Sequence, residues 1–202
     1  HIFCARLDME VDGPDNYVDR SEVRRIPMGE QNPYGNAFTW ARERIETEGG
    51  FDDDRSVRRT WHIGSNARRN AIGKSTEYEL LGEGWPTLLA DPESSVYQRA
   101  TFAAHNTWVT KYHEDERWPA GKYPNQHAGG AGLPAYVDDA ESVDGGDIVV
   151  WHSFGPTHLP RPEDFPIMPV DIYRLQLKPY GFFDRNPALD VPDWATRGAG
   201  SC

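Results

Sequence analysis

A mainly β fold, an antiparallel sandwich with long connections, is what this sequence predicts. Three observations carry that reading. Several runs alternate apolar and polar residues with period two, the pattern of a half-buried strand. Seven Trp, nine Tyr and eight Phe suit the pleated, partly buried surface of a sheet. Glycine and proline turn signals separate the runs, and only one segment has helical spacing.

The opening HIFCARLDMEVDG is the clearest strand. His1, Phe3, Ala5, Leu7, Met9 and Val11 share one face, which is expected to be the apolar side. Cys4, Arg6, Asp8, Glu10 and Asp12 share the other, with Ile2 its apolar exception. Asp12-Gly13-Pro14 signals a turn, and Asp15-Asn16-Tyr17-Val18 reads as part of it. Further strands are predicted at Asn36–Glu46, Arg59–Ile63, Thr76–Leu81, Thr107–His113, Asp147–Ser153 and Val170–Pro179. The helical exception follows Asp91-Pro92, read as N-cap and first helical residue, with Val96, Ala100, Phe102 and Ala103 on its apolar side. Loops dominate Arg117–Pro134 and the tail after Asp190.

Composition excludes some classes of function. Twenty-one basic residues stand against 32 acidic ones, a net charge of −11. With no basic block, this balance argues against nucleic acid and anionic membrane as partners. No apolar run approaches the length of a membrane span, and no signal-peptide or sorting pattern fixes a localisation. Cys4 and Cys202 lack zinc spacing and read as free thiols. The chain starts with His in mid-pattern, which predicts a fragment of a longer polypeptide.

Two glycine motifs fail as nucleotide sites. Gly73-Lys74-Ser75-Thr76 resembles the end of a phosphate-binding loop, but Arg68 stands where the first glycine is needed. Gly130-Ala131-Gly132-Leu133-Pro134-Ala135 mimics a dinucleotide fingerprint, yet Pro134 argues against a helix starting there.

The histidines and acids carry more chemistry. His1 lies on the apolar side of its strand, where an imidazole needs a partner. A histidine two residues earlier would stand beside it, and the Trp151–Asp171 segment could add a third nitrogen, a donor set suited to copper or zinc. By pattern alone, His158 is either such a ligand or a hydrogen-bonded core histidine. His152 is expected to point outward, and His62, His105, His113 and His127 are read as structural. Asp8 and Glu10 project together with the Met9 carbonyl between them, and Asp147 opens a strand that could lie alongside. Carboxylates with backbone carbonyls suit calcium, manganese or sodium; the alternative is acidic surface on two strands.

These residues sit in a wider pattern. HIFCARLDMEVDG, NAF at 36–38, PTLLADPESS at 86–95, DERWPAGKYPNQHAGGAGLPAY at 115–136, GGDIVVWHSFGPTHLPRPEDFPIMPVD at 145–171 and KPYGFFDRNPALDVP at 178–192 together resemble the copper amine oxidases. The resemblance covers nearly the whole chain in the family's order. It implies the C-terminal portion of a catalytic β-sandwich over residues 1–190, with a tail at 191–202. His1 matches the second histidine of a His-x-His pair, and His158 in Thr157-His158-Leu159-Pro160-Arg161 matches the third copper ligand. Met168 matches a methionine close to the copper, lining a path for dioxygen. A second ion, calcium or manganese, is implied at Asp8, Met9, Glu10, Asp147 and Ile148.

The activity so implied is oxidation of primary amines by O2 to aldehydes, with ammonia and hydrogen peroxide released, using copper and topaquinone in a homodimer. The cofactor tyrosine and the aspartate base are expected upstream, outside this chain. Tyr17, although it follows an asparagine, lacks the following acid and is read as a decoy. Two competing readings are a non-catalytic β-module and a hydrolytic metal-binding sandwich.

Overall fold

The computed structural model describes residues 1–52, 59–82 and 88–190. The tail at 191–202, with Cys202, lies outside them. Two antiparallel sheets pack face to face. The first holds β1 (Phe3–Met9), β8 (Ile148–Phe154), β7 (Thr107–Lys111) and β4 (Gly49–Phe51), in that order. The second holds β3 (Phe38–Ile45), β2 (Asn16–Arg25), β5 (Arg59–Arg69), β6 (Ser75–Gly82) and β9 (Leu175–Tyr180). Met9, Val109, Ile148 and Val150 from the first sheet meet Val18, Ile45, Trp61, Ile63 and Leu80 from the second in one apolar core. Trp108, Val149 and Trp151 on the outer side of the first sheet form a second cluster with Leu133.

Strand β2 corrects the reading of Asp15–Val18 as a turn. The turn closes earlier, where Asp12 and Gly13 take positive φ values of 55° and 112°. Asn16 then caps it: its Oδ1 accepts from the Val11 N–H at 2.9 Å and its Nδ2 donates to the Gly13 carbonyl at 2.7 Å. Tyr17 is therefore a buried strand residue. The charged run NYVDRSEVRR conceals the strand because its outer face is polar but satisfied in pairs. Asp19 meets Arg42 at 2.8 Å and Arg44 at 2.5 Å, and Ser21 Oγ lies 2.5 Å from Thr60 Oγ1. Strand β9 begins at Leu175 rather than Val170; Val170, Asp171 and Tyr173 are exposed and line a cleft instead.

Both short helices start differently from expectation. α1 (Ser95–Arg99) is capped by Ser94, whose Oγ accepts from the Tyr97 N–H. Asp91 instead accepts from the Glu93 and Ser94 N–H groups, forming a turn just upstream. α2 (Leu133–Tyr136) does start through Pro134, because a first-turn residue has no helical acceptor to lose. Its Leu133 is fully buried in the second cluster. No helix among the described residues is long and apolar enough to cross a membrane.

His152 points inward, not outward. It is buried, with Nδ1 3.0 Å from Thr107 Oγ1, and its ring presses on Gly82 at the end of β6. A β-carbon at position 82 would land on the His152 Nε2. Gly82 therefore lets the two sheets approach where their ends meet. Gly82→Ala should lower stability by about 1–3 kcal/mol, the usual penalty of overpacking, read as a fall in the urea midpoint at unchanged slope.

Candidate metal centre

The pairing of β1 with β8 organises both groups of predicted ligands. The two strands run antiparallel with Phe3 opposite Phe154 and Met9 opposite Ile148. One end of the pair thus gathers His1 and the segment that leaves β8 at Gly155. The other gathers Met9, Glu10, Asp147 and Ile148. At about 3.3 Å per residue the two ends stand roughly 20 Å apart.

At the first end His1, His158 and Met168 line one cleft of about 440 Å³, with Phe3, Phe154 and Tyr173 among its walls. Gly155 makes the geometry possible: at φ 146° it sits so close to the His1 carbonyl that a β-carbon would strike it. His1 is exposed, so its imidazole is not buried on the core side as the alternation suggested. The His158 side chain is 22% exposed, and its Nε2 lies 3.0 Å from Asp164 Oδ2. Asp164 is itself held by Arg161, through the backbone N–H at 2.7 Å and the guanidinium at 3.2 Å. These contacts, the Arg161 N–H first and His158 last, keep the Asp164 carboxyl below the ordinary range. Asp164 was not visible as a site residue in the sequence; a Thr-His-x-Pro-Arg turn that places an acid six residues after its histidine is the signal that could have found it. His152 is not part of the cleft lining.

At the other end, Asp8 and Glu10 are exposed, and Asp8 pairs with Arg6 at 3.1 Å. Asp147 contributes a buried Oδ1 that has no hydrogen-bond partner. Burial, then the charges of Asp8 and Glu10, push its carboxyl above the ordinary value. The Met9 and Ile148 side chains are committed to the core, so only their backbone is available to a ligand. A carboxylate left unsatisfied among other carboxylates is the electrostatic signature of a place suited to a hard cation.

A third acidic group escaped sequence reading. Glu48, Asp139 and Glu141 each bring an oxygen within 4.8 Å of the others. Glu48 and Glu141 are far apart in sequence, and backbone bonds join them: Glu48 N–H donates to the Glu141 carbonyl at 3.0 Å, and Val143 N–H to that of Glu46 at 3.0 Å. Glu48 is 7% exposed; its Oε1 accepts from the Lys111 N–H at 2.6 Å while Oε2 has no partner. Burial first, then the nearby Asp139 and Glu141, push its carboxyl up to about 6. Glu141 is better supplied, 2.6 Å from His113 Nε2 and 3.3 Å from Lys111 Nζ. His113 is raised in turn, chiefly by its bond to Glu141.

These geometries meet a clear set of relatives. The model of the copper amine oxidase enzyme domain matches residues 1–197. The chain belongs to the copper amine oxidase family. This copper amine oxidase chain is 50% identical over 204 residues to histamine oxidase of Arthrobacter globiformis, a match covering all of the chain and 29% of that protein. It is 44% identical to copper amine oxidase 1 of Schizosaccharomyces pombe, covering 95% of the chain and 28% of the relative. A crystal structure of a copper-containing benzylamine oxidase from Hansenula polymorpha superposes with a TM-score of 0.83 at 36% identity, over 95% of the chain and 31% of that protein. The chain thus spans under a third of the length of these relatives.

The raised Glu48 carboxyl has a stability consequence that can be measured without any ion. Its folded-state value, about 6, lies above the ordinary 4.5. Ionising it in the folded protein is therefore a cost, absent below about pH 4.5 and fully present above about pH 6. In cation-free protein, Glu48→Gln should raise the melting temperature relative to the parent at pH 8 and lose that advantage at pH 4.5. An equal shift at both values would contradict the assignment.

Proposed function

We propose that the chain, residues 1–190 with its tail at 191–202, is the C-terminal portion of the catalytic sandwich of a copper- and topaquinone-dependent primary-amine oxidase that works as a homodimer. The observation that carries this reading is the meeting of His1, His158 and Met168 around one cleft, reached from opposite ends of the chain. The donor chemistry fits. Two imidazoles with a third suit copper, and a metal-binding histidine usually has its second nitrogen fixed by a carboxylate. Asp164 stands in that position at Nε2 of His158, leaving Nδ1 as the nitrogen to meet the metal.

With copper and the quinone bound, the centre would supply the redox chemistry that converts a primary amine and O2 into aldehyde, ammonia and hydrogen peroxide. The residues of this chain would hold and shape the centre. Asp164, kept ionised by Arg161, fixes the ring plane of His158. Phe3, Phe154 and Tyr173 wall the cleft with apolar surface, and Met168 adds soft surface for the approach of dioxygen. The remaining imidazole, the quinone-forming tyrosine and the proton-abstracting aspartate would come from residues outside 1–202. Tyr17 is no candidate for that tyrosine: its hydroxyl is bonded to Glu77 at 2.5 Å on the second sheet.

Two sites are proposed for further cations. Asp8, Glu10 and Asp147, with the Met9 and Ile148 carbonyls, suit calcium or manganese, on the strength of the unpartnered Asp147 Oδ1. Glu48, Asp139 and Glu141 form a second such place, on the strength of the unpartnered Glu48 Oε2.

Copper analysis of the intact enzyme tests the main reading. His158→Ala should leave it without stoichiometric copper and without quinone absorbance. Asp164→Asn, which keeps the shape and removes the charge, should weaken copper retention by roughly 10–100-fold. Parental copper content in His158→Ala would overturn the assignment. Stabilisation by added calcium should be strong above about pH 6 and fade below it, because the Glu48 carboxyl, raised to about 6, then takes up a proton; thermal melts across that range, with and without calcium, provide the check.

A further inference from the structure

A second cleft, of about 550 Å³, opens on the outer face of the five-stranded sheet and shares no lining residue with the one at His1. Its floor is polar and deeply buried: Tyr17, Asp19 and Glu77 are 3%, 8% and 3% exposed. These groups are already matched to each other. Glu77 accepts from the Tyr17 hydroxyl at 2.5 Å and from Arg42 at 2.9 Å, and stands 3.1 Å from His62 Nδ1. Burial alone would raise the Glu77 carboxyl, but these three bonds outweigh it and hold it at about 2. Asp19 is bound by Arg42 and Arg44. Glu77 therefore stays ionised. Arg44 is shared with a third carboxylate, Asp144, at 2.6 Å.

Two cations of the lining are not consumed in this way. Among the described residues Arg69 bonds only to the neutral Ser75 hydroxyl, and Lys74 has no acidic partner. Four cations thus face two lining carboxylates and Asp144, an excess of one positive charge, in a chain whose total is −11. The walls are aromatic. Trp40 and Tyr180 stand 6.1 Å apart, both edge-on to His62, and Phe183 is also in the lining. Arg42 lies 5.3 Å from the Trp40 ring centre and Arg44 3.9 Å from that of Tyr17. The far wall is tied in place as well. Asn70 Nδ2 donates to the Gly181 carbonyl at 3.0 Å, and Asp184 Oδ1 accepts from the Ala71 N–H at 2.7 Å. A pre-formed cavity with flat walls and convergent charges is what a small-molecule site requires.

We propose that this cleft binds a small aromatic carboxylate, with Arg69 and Lys74 meeting the carboxylate and Trp40 and Tyr180 the ring. The positive excess repels an amine, so the site is not a second position for the substrate class proposed above, and it does not rest on that reading. Arginine and lysine at the rim supply charge-assisted hydrogen bonds, and the ring faces supply contact area that inorganic anions cannot use.

Isothermal titration of the intact protein with benzoate, benzylammonium and inorganic phosphate tests the assignment. Benzoate should bind saturably, benzylammonium should give no saturable heat, and phosphate should bind at least about tenfold more weakly than benzoate. Arg69→Glu/Lys74→Glu changes two exposed side chains and should weaken benzoate by about tenfold or more, with an unchanged circular dichroism spectrum. Trp40→Ala, at a residue 43% exposed, should weaken benzoate without changing phosphate. Absence of saturable benzoate binding, which is also the result if another segment of polypeptide fills the cleft, would overturn the proposal. So would benzoate binding that survives the double charge reversal, or phosphate binding as tight as benzoate.

Discussion

The proposed copper centre and the cation site at Asp147 both depend on the register between β1 and β8. Seven residues pair in each strand, from Phe3 opposite Phe154 to Met9 opposite Ile148. A slip of one residue would turn every side chain to the other face. It would take Met9 out of the core it shares with Ile148 and Val150, and it would draw His1 away from the turn at Gly155. The core holds the register, and the register holds the ligands. That is why a nitrogen-rich cleft and an oxygen-rich group occupy opposite ends of one strand pair without either interfering with the other.

The electrostatics divide along the same lines. Around the first sheet, buried carboxylates are left partly unmatched: Asp147 and Glu48 each keep an oxygen without a partner, and both are pushed above their ordinary values. On the outer face of the second sheet the buried acids are over-supplied with donors, and Glu77 is held at about 2. The first arrangement favours a cation, the second an anion. An acidic chain can thus offer sites of both signs, because local pairing rather than total charge sets the potential in a cleft.

Much of this was legible in the residues. The period-two runs and turn signals were enough to assign the sandwich. Pattern alone left His158 and Asp147 between ligand and structural readings, and the resemblance to the copper amine oxidases singled out His1, His158 and Asp147. Three things were not legible, each for a physical reason. Strand β2 reads as charged loop because its outer face is satisfied by cross-strand pairs that only the sheet reveals, such as Arg42–Asp19 and Ser21–Thr60. The Glu48–Asp139–Glu141 group joins distant segments through a short stretch of backbone pairing that leaves no periodic trace. His152 was expected outside because it precedes a turn, but the absence of a side chain at Gly82, on the other sheet, makes room for its ring inside.

The central claim is that one copper ion sits where the β1 and β8 ends converge. Anomalous diffraction from crystals of the intact copper-loaded protein, collected on both sides of the copper absorption edge, addresses it most directly. The account predicts a copper peak in the cleft lined by Met168, bonded to His1 and to Nδ1 of His158, with Asp164 still at Nε2. A copper peak elsewhere in the molecule, with His158 turned away from it, would contradict the account.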